Sequence, residues 1–123
     1  MLIEASEVRQ IPGEPRRRWF SDEYFDLIVW FAPEGSILGF QLCYDRDEQP
    51  RALTWLKGKG YKHDGIDEGD TPLHDSHKSA PVLVQDGVFD CSGIRSRFVQ
   101  ASLNLPLLIR MEVLKRIDEF RTP

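Results

Sequence analysis

All three histidines of the chain, His63, His74 and His77, lie within fifteen residues of one another. The same stretch carries a group of carboxylates that includes Asp67 and Asp70. Imidazole and carboxylate groups are suitable ligands for zinc, manganese or iron, and two histidines separated by two residues can chelate from a single turn. These five residues are therefore a candidate divalent-metal site, and they support the hypothesis of a metal-binding protein or a metal-dependent hydrolase.

A solvated surface loop without any cofactor is the alternative interpretation of the same stretch. The segment HDSH matches no established metal motif, because the chain has no HExxH pattern and no cysteine nearby, and DGIDEGD lacks the spacing of an EF-hand loop. Surface loops also collect glycine and charged residues for their solubility. The chain contains no GxSxG, GxxxxGK[ST] or GxGxxG motif, so these other catalytic patterns are excluded.

Aromatic side chains form the second group of candidate residues. The segment RRRWFSDEYFDLIVWF, residues 16–31, sets three arginines beside six aromatic residues. Apolar residues at every second position in its later half predict a strand whose one face fills the core. The opposite side of this strand, with the start of the next, supplies a candidate interaction face that consists of Tyr24, Ile28, Trp30 and Ile37. An apolar sheet face of this kind usually becomes a dimer interface or a ligand groove.

This face predicts a homodimer, or else the binding of another protein or of a small molecule. Burial of the same face beneath the N-terminal segment, through Leu2, Ile3 and Val8, is the competing prediction. A strictly monomeric chain in which Trp30 is buried would favour that second prediction.

Net charge and apolar content argue against two classes of partner. The net charge of −4 and the pI near 5.3 oppose a general affinity for nucleic acids, since that affinity comes from lysine and arginine contacts with phosphates. Arg16, Arg17 and Arg18 alternate between the two sides of an extended segment, so they do not form one basic patch. No stretch approaches the roughly 20 apolar residues of a membrane span, and the acidic N-terminus is unlike a signal peptide. We therefore expect a cytoplasmic protein whose Cys43 and Cys91 are free thiols.

The order of periodic segments predicts the fold that positions these residues. The chain, 1–123, is long enough for one compact domain. Residues 1–90 are expected to contain mainly strands and loops, with an irregular, mobile loop at about 57–81, and residues 91–121 to contain two helices. The expected fold class is α+β, with a mostly antiparallel β-meander sheet and two C-terminal α-helices packed on one face.

The turn PEGS, residues 33–36, predicts the register of the two central strands. If it is a four-residue hairpin loop, Phe31 lies opposite Leu38, and Trp30 lies opposite Gly39, where an indole can cover a strand glycine. A slip of one residue would exchange the two faces and bury polar groups.

Two helices are predicted from the longer apolar period that follows Asp90. Asp90 or Ser92 is the expected N-cap of the first helix, and Asn104 that of the second. The buried stripe of the first helix is predicted to contain Ile94, Phe98 and Ala101. The stripe of the second helix is predicted to contain Leu107, Met111, Leu114 and Ile117, supported by Val113 and Phe120.

Four segments, RRWFSDEYFDLIVWF, GFQLCYD, RALTW and PVLVQDGVFD, together resemble a family of small conserved bacterial proteins without an assigned activity. The similarity runs along nearly the whole chain, and its motifs are typical of cores and turns. The resemblance therefore implies a bacterial cytoplasmic protein and transfers no active site. Together these observations predict a non-enzymatic binding or protein-interaction domain, and metal-dependent chemistry at His63, His74 and His77 is the alternative.

Overall fold

Seven antiparallel strands form one sheet in which each strand pairs with the strand before it in the chain. The computed structural model describes residues 1–45, 48–66, 83–85 and 90–120. The strands are β1 (Ile3–Glu4), β2 (Arg16–Ser21), β3 (Phe25–Phe31), β4 (Ile37–Tyr44), β5 (Arg51–Leu56), β6 (Gly60–Ile66) and β7 (Leu83–Gln85). Two helices follow the sheet, α1 (Cys91–Ala101) and α2 (Leu107–Glu119). The predicted α+β fold, an antiparallel meander with two C-terminal helices, is confirmed.

The core lies between one face of the sheet and both helices. Alternate residues of β3, Phe25, Leu27 and Val29, belong to the same buried cluster as Ile94 and Phe98 of α1. The rings of Phe25 and Phe98 meet edge to face with their centroids 5.7 Å apart, a geometry that adds to the burial of apolar area. The helices therefore cover the predicted face of β3, and the other face of the sheet points away from them.

The first helix begins as its sequence predicts. Asp90 is the N-cap, and its carboxylate accepts a hydrogen bond of 3.1 Å from the backbone N–H of Gly93. This bond satisfies one of the free amide protons of the first helical turn. Ile94 and Phe98 are buried and Ala101 packs against the core, so the predicted stripe of α1 is confirmed.

The predicted stripe of the second helix is wrong in two of its four residues. Leu107 is 66% exposed and Met111 is 59% exposed. The buried residues of α2 are Ile109, Val113 and Ile117, at a spacing of four. Apolar residues lie on both sides of this helix, so the period alone does not identify the side that faces the sheet, and packing decides between them.

The predicted cap of α2 is also wrong. Pro106 is the N-cap residue and makes no side-chain capping bond. Asn104 instead donates a hydrogen bond of 2.7 Å from its side-chain amide to the carbonyl of Leu2. Its role is to fasten the N-terminal segment to the turn between the helices.

The register of the β3–β4 hairpin agrees with the prediction from Phe25 to Trp30, and Trp30 lies opposite Gly39. Phe31 pairs with Ile37 and not with the predicted Leu38. The reason is a β-bulge next to the turn, which makes Leu38 an extra residue on β4.

The N-terminal segment contributes to both sides of the sheet. Leu2 is completely buried in the core, and its backbone N–H donates to the carbonyl of Ala101 at 2.9 Å. Ile3, the next residue, points the other way and is 69% exposed. The competing prediction, in which Leu2, Ile3 and Val8 together cover the second sheet face, is therefore wrong for Leu2.

Candidate functional site

The sheet face that points away from the helices carries a group of large apolar side chains. Strand pairing places Trp19 opposite Ile28, and Trp30 opposite Gly39, which in turn lies opposite Leu56. Ile3 reaches the same side at the sheet edge, where it lies opposite Ser21. We call this surface the tryptophan face and define it as Ile3, Trp19, Ile28, Trp30 and Leu56.

The side chains of the tryptophan face are only partly buried. Trp19 is 36% exposed, and Ile28, Trp30 and Leu56 are half-buried. The indole N–H of Trp19 donates to a carboxylate oxygen of Asp26 at 3.2 Å, which fixes the ring across the strand pair. Tryptophan residues that are held in place by a polar contact and still reach solvent are frequent anchors of protein interfaces.

Charged residues of both signs border these apolar side chains. Arg17 is paired with Trp30 across strands β2 and β3. Lys62 is paired with Thr54, which belongs to the same row of paired residues across the sheet as Ile28. Two acids, Asp26 and Asp64, occupy the neighbouring row of the same face. Asp64 is buried and Asp26 is half-buried, so the polar border around the apolar centre has two basic groups and one acid that reaches solvent.

Only two of the four residues predicted for the interaction face lie on the tryptophan face, namely Ile28 and Trp30. Tyr24 and Ile37 pack against the core cluster on the other side of the sheet. The ring of Tyr24 lies 6.5 Å from that of Tyr44, and the guanidinium of Arg97 lies 4.2 Å from its centroid. Burial raises the pKa of the Tyr24 hydroxyl. Tyr24 precedes β3 and Ile37 lies beside the bulge, so strict alternation does not extend to either residue.

Three members of the tryptophan face, Ile3, Trp19 and Leu56, are absent from the four residues predicted for the interaction face. Leu56 could have been found, because it follows Thr54 by two residues in the segment RALTWL and so lies on the same side of an extended strand. Ile3 could not, because its position depends on the pairing of the two-residue strand β1 with β2.

His63 occupies a buried position on the core side of β6. Its Nε2 atom and the hydroxyl of Tyr44 form a hydrogen bond of 2.5 Å, and the two rings are stacked at an angle of 9°. The ring of Phe120, which follows α2, lies 6.0 Å from the imidazole. A metal ion at Nε2 would have to displace the Tyr44 hydroxyl, so Nε2 is engaged in that hydrogen bond in the observed geometry.

The remaining residues of the predicted metal site, Asp67, Asp70, His74 and His77, lie outside the described residues. Within residues 1–45, 48–66, 83–85 and 90–120, no group of three histidine, cysteine or acidic side chains is placed to hold a metal ion. The convergence of the three histidines therefore stays a prediction.

A second apolar surface lies on the outer side of the helices. It consists of Leu103, Leu107, Leu108 and Met111, each of which is more than half exposed. We call these four residues the helical patch. Leu107, Leu108 and Met111 lie on the opposite side of α2 from its buried residues, and Leu103 lies in the turn before this helix. The helical patch and the tryptophan face are therefore on opposite sides of the molecule.

The arginines at the start of β2 divide between different environments, as their alternation predicts. Arg18 forms two hydrogen bonds with the carboxylate of Glu4, of 2.8 Å and 2.7 Å. The hydrogen bond from Arg18, with its positive charge and that of Arg16, holds the pKa of Glu4 below its ordinary value. This ion pair links β2 to β1.

Neither the search for membrane-spanning helices nor the comparisons with known proteins add a further constraint on this site. None of the described helices is both long enough and apolar enough to cross a membrane. A scan against protein-family models and searches of curated proteins and of solved structures found no match.

Proposed function

We propose that this chain is a non-enzymatic interaction domain of the bacterial cytoplasm that self-associates through the tryptophan face. The observation that carries the proposal is the presence of two partly exposed tryptophans, Trp19 and Trp30, on the side of the sheet opposite the helices. Tryptophan and arginine are the residues most enriched at the energetic centres of protein interfaces, and leucine is under-represented there. This difference favours the tryptophan face over the helical patch, three of whose four residues are leucines.

A second copy of the chain is the partner that the charges favour. The border of the tryptophan face contains two basic groups, Arg17 and Lys62, and one half-buried acidic group, Asp26. A two-fold interface brings the same surface of both subunits together, so a border of mixed sign allows each copy to offer an acid to the bases of the other. A border of one sign would repel a second copy.

The size of the face sets the expected affinity. Five strands spaced about 4.8 Å apart, with six to eight residues that each rise about 3.3 Å, form a surface of roughly 20 by 20 Å. Such a surface is at or below the roughly 800 Å² that each partner buries in an interface of standard size. We therefore expect a reversible dimer with a dissociation constant in the micromolar range.

Sedimentation equilibrium of the wild-type chain and of Trp19→Ala across the micromolar range tests this proposal. The variant removes the most exposed indole of the face, and truncation of a central aromatic anchor costs about 2 kcal/mol or more. A two-fold dimer contains two copies of Trp19, so we expect the dissociation constant of the dimer to rise by about 30-fold for each copy, which is roughly 1000-fold in all. The variant should keep its helices and its cooperative unfolding, because Trp19 is not part of the buried core.

Leu107→Glu provides the matched control on the helical patch. It introduces a charge at an exposed apolar residue on the opposite side of the molecule, and the dimer should survive it. Dissociation by Leu107→Glu but not by Trp19→Ala would contradict the proposal and assign the interface to the helical patch. A monomer at all concentrations would also contradict it.

A further inference from the structure

A cleft lies between β2 and the segment that connects it to β1. Its volume is about 650 Å³, within the range of small-molecule sites. The residues that matter for its chemistry are Glu4, Glu7, Arg9, Arg16, Arg17 and Arg18. We call this space the arginine cleft.

Gln10 attaches the segment between β1 and β2, which forms the wall of the arginine cleft, to β2, which forms its floor. The side-chain oxygen of Gln10 accepts a hydrogen bond of 3.0 Å from the backbone N–H of Arg17, and its side-chain nitrogen donates to the Arg17 carbonyl at 2.9 Å. The amide of this glutamine thereby replaces the backbone of a neighbouring strand along the exposed edge of β2. The cleft is held open by these contacts before any ligand arrives.

The Arg17 side chain is fixed by the same segment. Its Nε–H donates to the carbonyl of Arg9 at 3.0 Å, so the guanidinium is anchored at its base. Among the described residues no ion pair engages the guanidinium groups of Arg9, Arg16 or Arg17. Arg18, in contrast, is neutralised by Glu4.

The charge of the arginine cleft opposes that of the whole chain. Four arginines and two glutamates line it, which gives a formal charge of +2 on a chain whose net charge is −4. Guanidinium groups match the geometry of phosphate oxygens, because two parallel N–H groups can bind two oxygens at once. An arginine whose Nε is already held loses less conformational entropy on binding than a free side chain.

We propose that the arginine cleft binds a small molecule that carries a phosphate or diphosphate group, with Arg9, Arg16 and Arg17 as its ligands. The proposed site shares Arg17 with the border of the tryptophan face, but it rests on the connection between β1 and β2 and requires no contact with a second copy. The limited width of the positive surface favours a small anion over a nucleic-acid strand, which needs a continuous basic track.

Titration of the full chain with inorganic pyrophosphate, followed by isothermal calorimetry and by backbone amide NMR, tests this site. We expect saturable binding that weakens with added salt, with the largest amide shifts in residues 5–10 and 16–18. The double variant Arg16→Gln with Arg17→Gln should weaken binding at least about tenfold, because it removes two charge-assisted contacts.

Lys57→Gln with Lys59→Gln is the control, because it removes the same charge from the exposed turn between β5 and β6. Wild-type affinity in this control supports a local site. An equal loss in both double variants would indicate a general charge effect and overturn the proposal, as would the absence of binding to the wild type.

Gln10→Ala tests the same site without a change of charge. Weaker pyrophosphate binding in a variant that still unfolds cooperatively supports the role of Gln10 in holding the cleft open. Tighter binding of a single-stranded oligonucleotide than of pyrophosphate by the wild type would overturn the assignment to a small anion.

Discussion

Replacement of Gly39 by alanine is expected to lower the free energy of unfolding by about 3 kcal/mol, which is the upper part of the range for overpacked sites. A Cβ atom at this position would lie 2.5 Å from the carbonyl oxygen of Trp55 and 2.7 Å from a methyl carbon of Leu56. The methyl group of Leu56 can rotate away, but the carbonyl belongs to the paired strand β5 and cannot move without breaking the sheet. The effect therefore comes from backbone crowding at the centre of the β4–β5 pair.

Urea denaturation of Gly39→Ala and of the wild type measures this difference. Thr54→Val is the control, since it changes a half-buried residue of the same sheet face and removes only the hydrogen bond from Gln41. We expect a loss of about 1 kcal/mol or less for the control. A stability for Gly39→Ala within 1 kcal/mol of the wild type would contradict the close approach of β4 and β5 at this position.

Replacement of His63 by alanine is expected to cost about 2–4 kcal/mol, as for other large-to-small changes of buried side chains. The His63 residue is 7% exposed, and its imidazole is stacked on Tyr44 and shares a hydrogen bond with the Tyr44 hydroxyl. Its removal leaves a cavity beside Phe120 and takes away the bonding partner of a buried hydroxyl. We expect the same loss with and without a metal chelator, because the described contacts of His63 are ring packing and a hydrogen bond within the core.

Thermal melting of His63→Ala, with and without chelator and added zinc, checks this expectation. Lys62→Ala is the matched control on the neighbouring position of β6, where the side chain is exposed, and it should change the stability by about 0.5 kcal/mol or less. If zinc raises the melting temperature of the wild type but not of His63→Ala, the metal hypothesis becomes the better account of this residue.

The central strands of the sheet could be predicted from the sequence because their information is local, whereas β1 and the separate strand β2 were not predicted. Phe25, Leu27 and Val29 alternate with more polar neighbours, and only one register sets them against the apolar residues of β4. The exception, Phe31, lies at a bulge, whose extra residue depends on the geometry of the turn. The side of α2 that faces the sheet could not be predicted, because Leu107 and Met111 are as apolar as the buried Ile109 and Val113.

The candidate sites depend on contacts between distant residues, and for that reason the sequence predicted only part of them. Trp30 follows from strand alternation, whereas the exposure of Ile3 depends on a strand of two residues. In the arginine cleft the side-chain amide of Gln10 makes the pair of hydrogen bonds that the backbone of a neighbouring strand would make. Secondary-structure propensities do not describe such a contact. The role of His63 depends on a bond to Tyr44, nineteen residues away along the chain.

Cross-linking through a single cysteine at the centre of the tryptophan face tests the central claim most directly. In a chain with Cys43→Ser and Cys91→Ser, the variant Gln41→Cys places a thiol on the middle strand, opposite Ile28 and Thr54. A short bifunctional maleimide should convert it into a covalent dimer at micromolar concentration, while Met111→Cys in the helical patch should stay monomeric. Two results would contradict self-association through the tryptophan face. One is a covalent dimer from Met111→Cys but not from Gln41→Cys, and the other is the absence of a covalent dimer in both variants.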